Sequence, residues 1–179
     1  IKGFHLAIPA FARLHRDFPD SRLTIVGDGP DRGALGALVR DLGLDGAVTF
    51  AGWLPRESAL QALRTADVLL FPSGEGAGMV VLEAMGLGLP VVCLDFGGPG
   101  EMVGNPGCGQ RVAPADRAET IAGLGDALLH YARSPDVRIA HGAAARLRVM
   151  KHFLWETRQD QLVRWYAHLL ARPQPPTAG

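Results

Sequence analysis

Short, wholly apolar segments recur along the chain, and each is followed by a stretch whose apolar residues fall at helical spacing. The segments are residues 23–26, 48–52, 68–71 and 91–94, with Arg111-Val112 as a final short strand. A strand that is apolar along its whole length is buried on both faces, and its alternation with helices builds a parallel sheet covered on both sides. Helices are expected over residues 4–18, 31–42, 57–66 and 78–87, the first ending at Pro19. Residues 116–133, 136–150 and 155–170 all read as helices after the last strand, so the chain ends in several helices in a row. The last has Leu162, Trp165, Tyr166, Leu169 and Leu170 on one stripe, which reads as a packing face. The expected fold class is α/β, a three-layer α/β/α domain around a parallel sheet.

The chain has 179 residues, 47% of them apolar and 20% charged, which suits one domain with a core that needs neither disulfides nor metal. That domain is expected over residues 1–171. Residues 172–179, with Pro173, Pro175 and Pro176, read as an unstructured tail. A net charge of zero gives no overall pull toward nucleic acid, and none is expected as a partner. The charge is unevenly spread: residues 1–132 carry 10 Lys/Arg against 15 Asp/Glu, and residues 133–179 carry 8 against 3. The basic excess reads either as arginines on a solvated helix face or as a surface for lipid headgroups or an acidic partner. Cys93 and Cys108 are the only cysteines, without CxxC spacing or a His pair at metal-ligand spacing. A reducing cytoplasm and no metal are therefore expected. The most apolar run, residues 76–94, is broken by Glu83 and Pro90 and does not suit a membrane span, and no signal peptide precedes it.

Open α/β sheets bind ligands at the carboxyl ends of their strands. At the first strand end, Gly27-Asp28-Gly29-Pro30 with Gly33 has the look of a glycine-rich dinucleotide turn. The next strand ends in Gly52-Trp53-Leu54, without the acid that would bind a nicotinamide ribose, so glycines serving only a tight turn are the favoured reading and a nearby ligand the other. The run from Phe71 to Met85, FPSGEGAGMVVLEAM, is richer. Gly74, Gly76 and Gly78 are expected to take positive φ and to approach a ligand without a Cβ in the way. Gly78, Met79 and Val80 then begin a helix whose outward N–H groups and dipole suit a diphosphate. Glu75 precedes that helix, and Glu83 is the one charged residue in an otherwise apolar segment. A buried carboxylate needs donors, which a ribose diol, protein N–H groups or an arginine can supply. Glu75 is either a ligand contact or an acid favoured by the helix dipole. A second glycine turn, Gly97-Gly98-Pro99-Gly100-Glu101, opens a short helix and is expected beside the first, either walling the same cleft or as a local turn.

Together these residues resemble the retaining glycosyltransferases of family 4, specifically their C-terminal, Rossmann-like nucleotide-sugar domain in the GT-B fold. The resemblance runs over nearly the whole chain: Lys2-Gly3, the IVGDGP strand and turn, the FAG strand, Ala66-Asp67 before Pro72-Ser73, and the Glu-x7-Glu pair within EGAGMVVLEAMGLGLPVV. It implies a sugar transferred from a nucleoside-diphosphate sugar to a glycan, lipid or other acceptor, as in polysaccharide synthesis. Glu75 would be the catalytic residue at the donor hexose, and Glu83 would hold the ribose. Gly76, Gly78, Met79 and Val80 would meet the diphosphate, Leu54 and Arg56 would lie beside the base, and Lys2 would neutralise the phosphates. No metal or other cofactor is implied. The family's acceptor domain and a donor arginine lie upstream of the Lys-Gly pair, so this chain would be a fragment, inactive by itself. The whole protein would be cytoplasmic, at the inner face of the cell membrane. A non-catalytic nucleotide-sugar-binding or assembly module, a sugar-nucleotide epimerase of the same fold and an NAD(P)-dependent oxidoreductase domain remain as other readings.

Overall fold

The structure is a computed structural model that describes residues 2–104 and 106–171; the expected tail, residues 172–179, lies outside them. Strands and helices alternate as α1 (Phe4–Asp17), β1 (Leu23–Val26), α2 (Arg32–Asp41), β2 (Val48–Gly52), α3 (Arg56–Arg64), β3 (Leu69–Phe71), α4 (Met79–Gly86) and β4 (Val91–Leu94). Then follow α5 (Gly97–Val103), β5 (Gly109–Val112), α6 (Arg117–Arg133), α7 (Pro135–His152) and α8 (Trp155–Leu170). The expected α/β order is present, and the last helix has the expected bounds. β5 starts two residues earlier than its apolar signature suggests. Gly109 allows this, because a Cβ there would lie 2.6 Å from the Val91 carbonyl oxygen, so only glycine lets β5 close on β4.

Strand pairing is parallel throughout. β4 is buried along its whole length, and its side chains alternate between two cores. Val91 and Cys93 join Val81, Ala84 and Met85 of α4 and Ala145 and Val149 of α7. Val92 and Leu94 point the other way, toward Ala10 of α1 and Leu124, Leu128 and Tyr131 of α6. This is the expected three-layer, Rossmann-like arrangement.

Two expectations need correction. The strands form not one hydrogen-bonded sheet but two, β1-β2 and β3-β4-β5. α1 joins them: Ile8 and Phe11 pack with β1 and β2, while Leu6 and Ala10 pack with the β3-β4 core. β1 is covered on one face only, with Ile25 buried and Thr24 and Val26 exposed. The second correction concerns α8. Its apolar stripe is uncovered among the described residues, with Trp165 56% and Leu170 85% exposed. A period of 3.6 identifies a face but not what covers it.

Close contacts make some glycines obligatory. In α7, a Cβ on Gly142 would run into the Gly88 carbonyl oxygen, whereas one on Gly36 of α2 would meet only the Arg40 guanidinium at 3.7 Å. Gly142→Ala is therefore expected to lose about 1–3 kcal/mol through overpacking. Gly36→Ala should gain up to about 1 kcal/mol from helix propensity. Urea denaturation of the two variants checks the opposite signs.

Three titratable groups have shifted values, one of them Tyr131, whose hydroxyl is pushed up by burial. Burial pushes the Cys93 thiol up to about 12, against a partial pull downward from Arg111. Cys93 should thus resist maleimide in the folded protein and react on unfolding, because the thiolate is the nucleophile. His141, whose Nδ1 lies 2.9 Å from the Tyr131 hydroxyl, is held below its usual 6.5 by desolvation and by nearby His130. The unfolded chain therefore takes up this proton first, and stability is lost as pH falls from about 6.5 through the lowered folded value. His141→Gln should flatten that part of a stability-against-pH curve, measured by denaturant midpoint.

Candidate functional site

The carboxyl ends of β2, β3 and β4 and the start of α1 lead into the glycine turns. From Phe71 the chain passes buried Pro72 and Ser73, then the turn at 74–78, and enters α4. The expectation of positive φ at Gly74, Gly76 and Gly78 is not met; positive φ at this edge belongs to Gly3 (73°), Gly52 (68°) and Gly97 (59°). Each of the three turn glycines acts otherwise. Gly74 and Gly76 face open space, so their backbone is bare to a ligand. A Cβ on Gly78 would lie 3.1 Å from the Phe71 ring and 3.3 Å from Pro99, so its absence seats the start of α4.

The second glycine turn does lie against the first. A Cβ on Gly97 would be 2.7 Å from the Glu75 carbonyl oxygen, and one on Gly98 would run into that of Gly76. Backbone thus packs on backbone, and α5 braces the turn before α4. On the other side, a Cβ on Gly3 would run into the Pro72 carbonyl oxygen, which brings neighbouring Lys2 to the same edge.

The first N–H that closes a turn at the head of α4 is that of Val81, donating to Gly78 O at 2.8 Å. The N–H groups of Gly78, Met79 and Val80 come before it, at the positive end of the helix, with no side-chain cap over them. Met79 is 64% exposed.

Both acids of the Glu-x7-Glu pair are half-buried, and each meets a cation from a distant part of the chain. Glu75 Oε2 accepts from Lys2 Nζ at 2.6 Å. Glu83 Oε1 lies 3.1 Å from Arg56 Nη2, an arginine being one of the partners foreseen for it. Glu83 stands at the rim of the core, with Val81, Ala84 and Met85 taking the inward positions of the helix. The structure thus brings Lys2, Glu75, Gly76, Gly78, Met79, Val80 and Glu83 to one edge, with Arg56 across from Glu83 and half-buried Leu54 in the loop before it. Beside Leu54, Trp53 is 77% exposed.

The Gly27 turn is occupied by its own contacts. Gly27 N–H donates to Gly52 O at 2.7 Å, and Asp28 Oδ1 accepts from Gly29 N–H at 2.8 Å. A groove of about 1070 Å³ starts at Gly76 of this turn and at Gly98, runs past Arg148 and Phe153 to Arg158 and Trp165, and is lined by neither acid of the pair. Among the described residues, no three His, Cys, Asp or Glu side chains converge as a metal site would require, and no helix is long and apolar enough to cross a membrane.

Known proteins are similar to this chain in sequence and in fold. The family model described as glycosyl transferases group 1 matches residues 1–130. Glycogen synthase of Mycobacterium tuberculosis is 37% identical over 157 residues, covering 87% of this chain and 37% of that protein. A GDP-mannose-dependent alpha-(1-6)-phosphatidylinositol monomannoside mannosyltransferase of Mycolicibacterium smegmatis is 33% identical over 90% of this chain and 43% of its own length. The chain thus spans about two fifths of these curated relatives. Among solved structures, sucrose-phosphate synthase of Thermosynechococcus elongatus superposes with a TM-score of 0.80 at 29% identity, over 95% of this chain and 43% of that one. HepE of Anabaena, in complex with UDP, gives 0.78 at 25% identity, over 93% and 45%. On the family match and the shared fold, this chain belongs to the glycosyl transferases group 1.

Proposed function

We propose that this chain is the donor-binding half of a retaining GT-B glycosyltransferase, which moves a sugar from a nucleoside-diphosphate sugar to a glycan or lipid acceptor carried by another domain. The observation that carries this reading is the pair of acids flanking an uncapped helix start, with bare glycine backbone between them. The UDP bound to HepE and the GDP-mannose dependence of the mycobacterial relative support a nucleotide sugar as ligand.

The roles follow from charge and reach. The N–H groups of Gly78, Met79 and Val80 meet the diphosphate, together with Gly76 and the Lys2 ammonium. When the bond from the anomeric carbon to the leaving oxygen breaks, the electron pair stays with the diphosphate, and this positive end stabilises the growing charge. No metal is needed for that step in this reading. Glu75 takes the hexose hydroxyls, and Glu83 takes the ribose. Leu54 and Arg56 lie on the base side. Retention follows when the acceptor oxygen attacks the face from which the diphosphate departs. The proposed setting is the cytoplasm, with the basic C-terminal segment, residues 133–179, touching the inner face of the membrane.

Glu83→Ala should weaken binding of the bare nucleoside diphosphate about tenfold, the worth of a hydrogen bond to a charged group. Glu75→Gln should leave that binding intact and lower affinity for the complete nucleotide sugar by a similar factor. Calorimetric titration of the intact protein with UDP, GDP and their sugars checks both, and unchanged nucleotide affinity in Glu83→Ala would sink the ribose assignment. Gly98→Ala should push the Gly76 backbone out of place and cut kcat/KM by up to about a hundredfold, the scale of a 1 Å misplacement. Clear donor binding with neither sugar transfer nor donor hydrolysis would make this a non-catalytic module.

A further inference from the structure

We infer that Arg56 is a positioning residue, whose guanidinium holds the Glu83 carboxylate in the orientation that accepts the nucleoside ribose and so sets a preference for ribose over deoxyribose. The inference rests on the donor-binding reading above.

Arg56 is the first residue of α3, an unfavourable place for a cation because the helix dipole is positive there. Helix stability therefore does not account for it. Its neighbour Glu57 does not take the charge either, since Glu57 Oε1 accepts from Arg64 Nη1 at 3.0 Å within the same helix. The acid Arg56 does meet is Glu83 of α4, at 3.1 Å. Pro55 precedes it with φ −55°, so the backbone from which the guanidinium extends is restrained by a ring.

Glu83 needs such a hold. Its side chain is 30% exposed on the rim of α4, and a glutamate left free there samples several rotamers. A carboxylate has about four lone-pair sites, so one guanidinium contact leaves capacity for two ribose hydroxyls. The positive charge has a second effect. It offsets Glu83 where a diphosphate must approach, as Lys2 offsets Glu75 across the same turn.

The test is calorimetric titration of the intact protein with UDP, GDP and the 2′-deoxy form of whichever binds, alongside Arg56→Ala, Arg56→Lys, Glu83→Gln and the Arg56→Ala/Glu83→Gln double variant. The unmodified protein should prefer the ribonucleotide by about tenfold, the value of one hydrogen bond to a charged group. Arg56→Ala should bring that preference to within about twofold, and Arg56→Lys, which keeps the charge, should retain most of it. In the Glu83→Gln background, Arg56→Ala should not change the ratio further. A merely structural role would shift the melting temperature and weaken both nucleotides equally. The inference is overturned if Arg56→Ala keeps the full preference while Glu83→Gln abolishes it. If neither nucleotide binds, the donor-binding reading itself fails; if both bind and Glu83→Gln keeps the preference, the ribose assignment of Glu83 fails, and the Arg56 assignment falls with either.

Discussion

Parallel pairing around β4 is the constraint on which the rest of this structure depends. A strand buried on both faces needs helices on both sides, and parallel neighbours need a crossover between them. Val91 and Cys93 commit α4 and α7 to one face, and Val92 and Leu94 commit α1 and α6 to the other. Once the crossovers are in place, the carboxyl ends of β2, β3 and β4 open on one edge. The glycine turns, the start of α4 and both acids are gathered there as a consequence of sheet topology.

At that edge, precision comes from backbone packed on backbone, not from strong pairwise bonds. Gly97 and Gly98 lie so close to Glu75 and Gly76 that no side chain fits between them, which leaves the turn little freedom to shift. The ion pairs add little stability. Lys2 and Arg56 are 61% and 76% exposed, and pairs of this kind contribute about 0–1 kcal/mol. Each pair uses only part of its carboxylate's capacity, since a carboxylate has about four lone-pair sites. Their value lies in where they hold two half-buried carboxylates, on either side of a helix start that attracts anions.

Much of the fold was legible because it is written in local periodicity. The apolar runs at residues 23–26, 48–52 and 91–94 are strands, and the stripe over residues 155–170 is a helix with the expected ends. The site was legible as chemistry for a related reason: glycines, a helix start and two acids stand within one short stretch, so their spacing alone brings them together. Less was legible where contacts span the chain. The turn glycines were expected to have positive φ, yet what favours glycine at position 78 is the tight approach of the Phe71 ring and Pro99, and what requires it at position 98 is the Gly76 carbonyl. The break between β1-β2 and β3-β4-β5 also left no mark in the apolar pattern, since each strand looks the same whichever neighbour it has.

The sequence by itself determined the α/β alternation, the helix start that follows the 74–78 glycine turn and the presence of two acids eight residues apart, because each depends only on residues near one another. Tertiary structure alone decided which cation meets which acid: Lys2 reaches Glu75 across 73 positions, and Arg56 comes to Glu83 from a different helix. It also decided that the second glycine turn supports the first, and that the α8 stripe remains uncovered among the described residues. The physical reason is range. Periodicity says which way a side chain faces, whereas its partner is chosen by crossovers and by how closely two backbones can approach.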